Sequence, residues 1–287
     1  MSRSRHDQWD AHFLNRSLMF EPLYRAAHTL NQFEHWPTLD QLNQLIATHY
    51  PSIHTHNSHL LRLVAQSESI EYFEQQYEPR TYLCGELQTR EQNWHDLFNA
   101  LVWMTFPYTK ATLNALHYHD LKTYSAHHHP TRGQLRDAIT LLDESGVLVT
   151  SSDDHLTQLL KNFEWKTLFW EHRSALCKHM KFYLFGHGLY EKALSPYVGM
   201  TGKGLIFRVE PTFYQKNLTN QIMDLDSKLA NLLSSGSITS GNLTPVPLLG
   251  YPDWSPDNRN AAYYENTNYF RPRSNKYLLK DRKFKIG

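Results

Sequence analysis

Asn93-Trp94-His95-Asp96-Leu97-Phe98-Asn99-Ala100-Leu101-Val102-Trp103-Met104 reads as a helix with no polar stripe, because eight of its twelve side chains are apolar and they fall on every face. A helix of that kind is buried all round. It therefore predicts a core large enough to enclose it, and the polar groups it carries must find partners inside that core or cost about 1 to 3 kcal/mol each. Pro107 stops it, and Thr109 is placed to cap a following helix from Lys110 to about Ser125.

Outward from this segment, apolar residues recur at three- and four-residue steps from Asp10 to Leu30 and from Leu39 to Tyr50, the period of amphipathic helices. Leu60 to Ala65 reads as a strand, with a turn at Gly85. Asp137 to Ser151 places Glu144-Ser145-Gly146 between two β-rich runs and reads as a hairpin; the competing reading is a helix ending at Gly146 followed by one strand. A helical stretch from Asp153 to about Lys178, broken near Asn162, precedes a strand at Lys181 to Phe185 and a short helix at His187 to Leu194. Leu205 to Val209 reads as a strand and Gln215 to Leu233 as the last amphipathic helix. Pro245, Pro247, Pro252 and Pro256 then predict an extended wrap, and residues 274–287 a basic, solvated tail. The sum is an α+β protein: a mostly helical single domain over residues 1–273 with a small antiparallel sheet.

Hydrophobic residues make up 40% of the 287-residue chain and aromatics 13%, which excludes wholesale disorder. Lys and Arg number 29 against 28 Asp and Glu, so no global field draws the chain to nucleic acid or an anionic membrane, and any anion site must be local. Cys84 and Cys177 stand alone, without metal or disulfide spacing. The first residues, Met1 to Phe13, lack the apolar run of a secretory signal, and no stretch has the length of a membrane span; a cytoplasmic protein is expected. The 18 histidines include clusters at His54 to His59, His117 with His119, and His127 to His129; the last runs into Pro130 and Gly133 and reads as polar loop ahead of metal tract.

Three constellations carry chemistry. His95 and Asn99 lie one turn apart on the buried helix and so share a face. Asp96, three residues after Asn93, is better explained as part of a helix cap. His187 and Glu191 are likewise one turn apart, a spacing at which an imidazole and a carboxylate chelate a divalent cation, with Asp143 and Glu144 as added acids. Arg90, Lys110, Arg136 and Arg271, with Asn114, would form an anion pocket if they converged. Gly199-Met200-Thr201-Gly202-Lys203-Gly204 superficially resembles a phosphate loop but lacks its first-glycine spacing and following hydroxyl. The Rossmann, hydrolase-elbow, zincin and deaminase signatures are absent from the sequence.

The string Thr89 to Trp103, followed by Phe106-Pro107 and Lys110 to Asn114, resembles the bacterial family labelled domain of unknown function 3025. Arg136-Asp137-Ala138 with Asp143-Glu144-Ser145-Gly146 resembles its middle motif, Phe185-Gly186-His187-Gly188-Leu189 with Glu191-Lys192 its third, and Pro247-Leu248-Leu249-Gly250 with Phe270-Arg271-Pro272 its carboxy-terminal signature. The similarity runs from roughly Tyr77 to Arg273, and Tyr251-Pro252-Asp253-Trp254 departs from the family's proline-glycine. The resemblance implies no particular reaction, but its motifs hold the polar residues singled out above and omit the histidine clusters.

Two functions are then expected to compete. In one, His95, Asn99, His187 and Glu191 are catalytic in a hydrolase or group-transfer enzyme acting on a small anionic substrate, held by Arg90, Lys110, Asn114, Arg136 and Arg271. A divalent metal, if used, would sit on His187, Glu191 and Asp143. In the other, the buried polar residues only tie helices together in a binding or assembly module. No nucleic-acid partner is expected.

Overall fold

The computed structural model describes residues 8–67, 69–127 and 134–273; the histidine run from His128 and the tail from Ser274 lie outside them. The amino-terminal region is a succession of short turns instead of the expected helix: 3-10 turns at Phe13–Arg16 and Leu18–Leu23, one α turn (α1, Tyr24–Ala27) and another 3-10 turn at His28–Gln32. Ser17 breaks the first pair and Pro22 sits inside the second turn, so the periodic apolar residues are kept while continuous helical hydrogen bonding is not. Phe13, Phe20 and Leu23 still reach zero exposure.

Helix α2 (Leu39–His49) starts on a capping box formed by Thr38 and Gln41. Strand β1 (Arg62–Ala65) pairs in parallel with β2 (Glu86–Thr89), which follows α3 (Tyr77–Cys84) through Gly85 at φ +72°. The predicted buried helix is α4 (Trp94–Thr105), capped by the Asn93 side chain, which accepts from Asp96 N–H at 3.0 Å. Helix α5 (Pro107–His127) begins three residues before the expected Lys110. Its cap is not Thr109 but the distant Asp226, whose carboxylate accepts from Tyr108 N–H (3.0 Å) and Thr109 N–H (2.7 Å). Pro at the first helical position is the ordinary consequence.

The expected hairpin at Asp137 to Ser151 is instead helix α6 (Gln134–Ser145) running directly into β3 (Gly146–Ser151). Ala138, Ile139 and Leu142 are buried at helical spacing, which outweighs the β-rich composition. Helices α7 (Asp154–Asn162) and α8 (Arg173–His179) flank a π-helical turn at Thr167–Glu171, and β4 (Met180–Leu184) leads into α9 (His187–Ala193). Strand β5 (Thr201–Arg208), α10 (Leu218–Ser234) and β6 (Thr244–Pro247) complete the set.

The main sheet has the order β4-β3-β5-β6. It is mixed, not antiparallel, because β3 pairs antiparallel with β4 but parallel with β5. Every residue of the inner strand β3 is buried. Pro245 and Pro247 are tolerated because β6 is an edge strand. The buried side chains from Phe13 to Phe270 form one contiguous core. Among the described residues no helix is long and apolar enough to cross a membrane.

Candidate functional site

The register of β3 against β4 places Val147 opposite Leu184. The two ends that leave this pair, Asp143-Glu144-Ser145 and Gly186-His187-Gly188, are therefore neighbours. Gly146 O accepts from both Phe185 N–H (3.0 Å) and Gly186 N–H (2.9 Å), which fixes them. Gly186 is required here, since a Cβ on it would lie 2.5 Å from the backbone nitrogens of Ser145 and Gly146. Gly188 leaves the room that Glu144 fills: a Cβ there would stand 2.8 Å from Glu144 Oε2. Helix α4 packs on α9 and brings in His95 from its first turn.

The two imidazoles meet edge to face, with His95 Nε2 3.1 Å from His187 Nε2. Glu144 Oε1 lies 3.4 Å from His187 Nε2 and 4.0 Å from His95 Nε2. Behind each ring stands a further carboxylate. Glu191 Oε2 is 3.0 Å from His95 Nδ1, and Asp143 Oδ2 is 3.8 Å from His187 Nδ1, a buried nitrogen with no hydrogen-bond partner. The floor of the site is closed and its rim open: the His187 side chain is 6% exposed, those of Glu144 and Glu191 46% and 50%.

Electrostatics follow from this layout. The Glu144 carboxyl is held below its usual range chiefly by the hydrogen bond to His187, against the opposing effect of partial burial. Burial would raise the Asp143 carboxyl, but the Lys110 ammonium 2.5 Å away and the His187 imidazole outweigh it and hold it low. Lys110 is itself buried, its ammonium 5.8 Å from the Trp103 ring centre.

The structure thus brings together His95, His187, Glu191, Asp143, Glu144 and Lys110. Glu191 does not share a ligand position with His187 one turn away; it turns to His95 of the other helix. Asn99 bonds none of the cluster side chains and donates to Tyr77 OH at 2.5 Å. Burial, together with Glu78 and Asp143, pushes the Tyr77 phenol well above its ordinary range, so it remains a neutral partner. Asn114 donates to Glu78 at its backbone oxygen (3.0 Å) and at Oε2 (2.6 Å).

The cations do not converge on one anion. Arg90 grips Asp96 through Nε and Nη2, Lys110 is bound to Asp143, Arg136 lies 3.5 Å from Asp120, and Arg271 donates to Asn268 O. Tyr77 and Glu78 escaped the sequence reading; their only signal was that the family-like stretch begins there. His54, His56 and His59 are not buried, and His59 pairs with Asn57. Beside the cluster, Glu191 opens onto a hollow of about 460 Å³ shared with Gln92, Trp94, Lys192 and Tyr197. Gln92 adopts φ +55°, a conformation few non-glycine residues take.

The sequence profile of the family described as "Protein of unknown function (DUF3025)" matches residues 61–274. No curated protein matches the chain, and no solved structure does.

Proposed function

The chain belongs to the DUF3025 family, and from that premise we propose that its shared motifs build a divalent-metal centre on His95, His187 and Glu144, used to activate water for hydrolysis. The observation that carries this reading is the approach of two imidazole Nε2 atoms to 3.1 Å while a carboxylate stands behind each ring. A carboxylate only accepts, so Glu191 draws the His95 ring proton to Nδ1 and leaves the lone pair on its Nε2. That lone pair, His187 Nε2 and Glu144 Oε1 lie within 4.8 Å of one another, and a cation between them would replace the proton that His187 otherwise shares with Glu144.

The spacing suits one. Ligands at about 2.0 to 2.1 Å from a tetrahedral ion are separated by about 3.3 Å, against 3.1, 3.4 and 4.0 Å here. A small rotation of Glu144, whose side chain is half exposed, closes the longest edge. Two histidines and one carboxylate suit zinc and its neighbours, and three protein ligands leave a position open for water. The metal would lower the pKa of that water toward about 7.

The protein's own groups have separate tasks in this scheme. Glu191 would fix the tautomer of His95 and raise its basicity, while Asp143, 3.8 Å from His187 Nδ1, would act on that ring through its charge. The Glu191 oxygen not engaged with His95 would take a proton from attacking water. Arg90 and Lys110 are committed to Asp96 and Asp143, so the positive charge that an anionic substrate meets would be that of the metal and of Lys192 in the hollow.

Elemental analysis of the purified chain tests the proposal. One equivalent of zinc, manganese or cobalt is expected, lost in H95A, H187A and E144Q, and held about 10 to 100-fold more weakly in E191Q. No stoichiometric metal after supplementation with these ions would overturn it. Bound iron with oxygen uptake would overturn the hydrolytic part, and so would a failure of the metal-loaded protein to cleave any member of an ester, amide and phosphoester panel.

A further inference from the structure

Away from the histidine cluster, two hollows adjoin, and Phe163 and Pro245 line both. One, of about 510 Å³, is walled by Phe163, Trp165, Tyr269 and three prolines, with Arg271 among its lining residues. The other, of about 1020 Å³, carries Lys161, Lys203 and Arg273 among amide and hydroxyl side chains. Among the described residues neither hollow is lined by a single Asp or Glu, in a chain whose acids and bases are nearly equal in number. Most basic side chains elsewhere in the fold are paired with a carboxylate, as at Arg80, Arg90 and Lys110. Among the described residues Lys161 and Lys203 have no such partner, and Arg271 spends only its Nε, on Asn268 O.

The backbone is unusual at the same place. Phe163 closes α7 at φ +63°, ψ +33°, where its N–H bonds Leu159 O and Leu160 O. Glycine or asparagine is the ordinary residue at such a helix end, and a bulky ring held there is strained. The ring is kept in position by stacking on Trp165, 5.2 Å between centres at 19°, and Trp165 stacks in turn on Phe169. Phe169 lies in the π-helical turn, a distortion that recurs at functional sites. Trp165 Nε1 donates to Arg271 O at 2.8 Å and so ties the guanidinium-bearing segment to the aromatic stack.

An apolar aromatic hollow joined to a basic, acid-free one suits a ligand with a planar ring at one end and phosphate at the other. We propose that the two hollows form a nucleotide site, the base lying against Phe163 and the phosphates between Lys161 and Lys203. The glycine-rich segment at Gly199 to Gly204 straddles it: Gly199 and Thr201 line the first hollow and Lys203 the second. From Thr201 onward it does so as strand β5, not as a phosphate loop before a helix. The site shares no lining residue with the histidine cluster and does not depend on a metal there.

Calorimetric titration of the full chain with ADP in EDTA, which removes any metal-mediated contact with phosphate, tests this. Saturable one-site binding is expected, weakened about tenfold or more in K161A/K203A, since a charge-assisted hydrogen bond is worth at least that factor. F163G, which suits the positive φ but removes the ring, is expected to weaken ADP more than pyrophosphate. Absence of saturable binding up to about 1 mM ADP, pyrophosphate binding as tightly as ADP, or unchanged affinity in K161A/K203A would each overturn the site. A short oligothymidylate separates the two sources of this chemistry: binding tighter than ADP assigns a single strand, and weaker or equal binding a free nucleotide.

Discussion

Replacing Lys110 by methionine isolates the buried ion pair beneath the histidines. Methionine keeps most of the apolar stem against Trp103 and removes only the ammonium, 2.5 Å from Asp143 Oδ1. Both side chains are largely withdrawn from water, 4% and 15% exposed, so solvent cannot replace the lost partner. Stripping one member from a buried pair costs about 3 to 5 kcal/mol, whereas replacing both members by hydrophobic groups of similar volume is close to neutral. K110M is therefore expected to lose about 3 to 5 kcal/mol, and K110M/D143L to regain most of it. Urea denaturation of the four proteins at neutral pH gives the coupling energy directly. The pH dependence supplies an independent check. In the native protein the Asp143 carboxyl is held low, because Lys110 and His187 outweigh the effect of burial. Its contribution to stability is thus present above the ordinary carboxylate range and lost as pH falls through its lower folded value. Without Lys110 burial prevails and the carboxyl rises, so the deficit of K110M should shrink as pH is lowered. A K110M protein within about 1 kcal/mol of the native one, or additive single and double variants, would refute the reasoning.

Gly186 and Gly188 should respond to alanine in different degree. G186A meets backbone atoms of residues 144–146 at 2.5 to 2.6 Å and should cost more than about 3 kcal/mol or prevent folding. G188A meets Glu144 Oε2 at 2.8 Å and Glu144 O at 3.0 Å and should fold at a cost of about 1 to 3 kcal/mol while losing at least about tenfold in metal affinity; a G188A protein with native metal affinity would contradict the ligand role of Glu144. Asp226 is pushed up to about 6 by burial, against its bonds from Thr109 and Tyr108. Its contribution to stability is full below about pH 3.8 and lost as pH rises through about 6, about 3 kcal/mol in all, so D226N should flatten that part of the stability profile, and parallel profiles would refute the assignment. R90A should leave metal content unchanged and cost about 1 kcal/mol or less, since it removes only a half-exposed ion pair to Asp96; metal loss in R90A would show that Asp96 helps to position His95.

Where local periodicity decides structure, the chain was legible. Helix α4 announced itself because its apolar residues leave no gap, and α2 and α10 because their apolar residues recur at helical spacing. Legibility failed where a distant group replaced a local one. The start of α5 depends on Asp226, more than a hundred residues away, and no local pattern contains it. At α6 the β-branched composition competed with the helical spacing of Ala138, Ile139 and Leu142, and tertiary burial decided for the helix. In the site, His95, His187 and Glu191 could be named from burial logic and spacing, but their pairing could not, because it rests on the register of β3 with β4. Glu144 looked like a turn acid since a hairpin was expected around it; as the last turn of a helix facing Gly188 it acquires a direction.

The buried polar residues that stand outside the cluster explain how it is held. A hydrophobic group in place of the Lys110–Asp143 pair would be about as stable, so stability alone does not account for an ion pair there. Position does. Asp143 offers one oxygen to Lys110 at 2.5 Å and presents the other 3.8 Å from His187 Nδ1, so the ammonium on α5 sets the orientation of a carboxylate on α6 that in turn faces an imidazole on α9. Asn99 and Asn114 act similarly one layer away, tying α4 and α5 to Tyr77 and Glu78 of α3. Each of these bonds joins elements that the hydrophobic core brings close but does not orient, since apolar contact has no direction and a hydrogen bond has one. The polar side chains inside this core therefore act as a frame, and the open rim of His95, Glu144 and Glu191 is the part of that frame which reaches water.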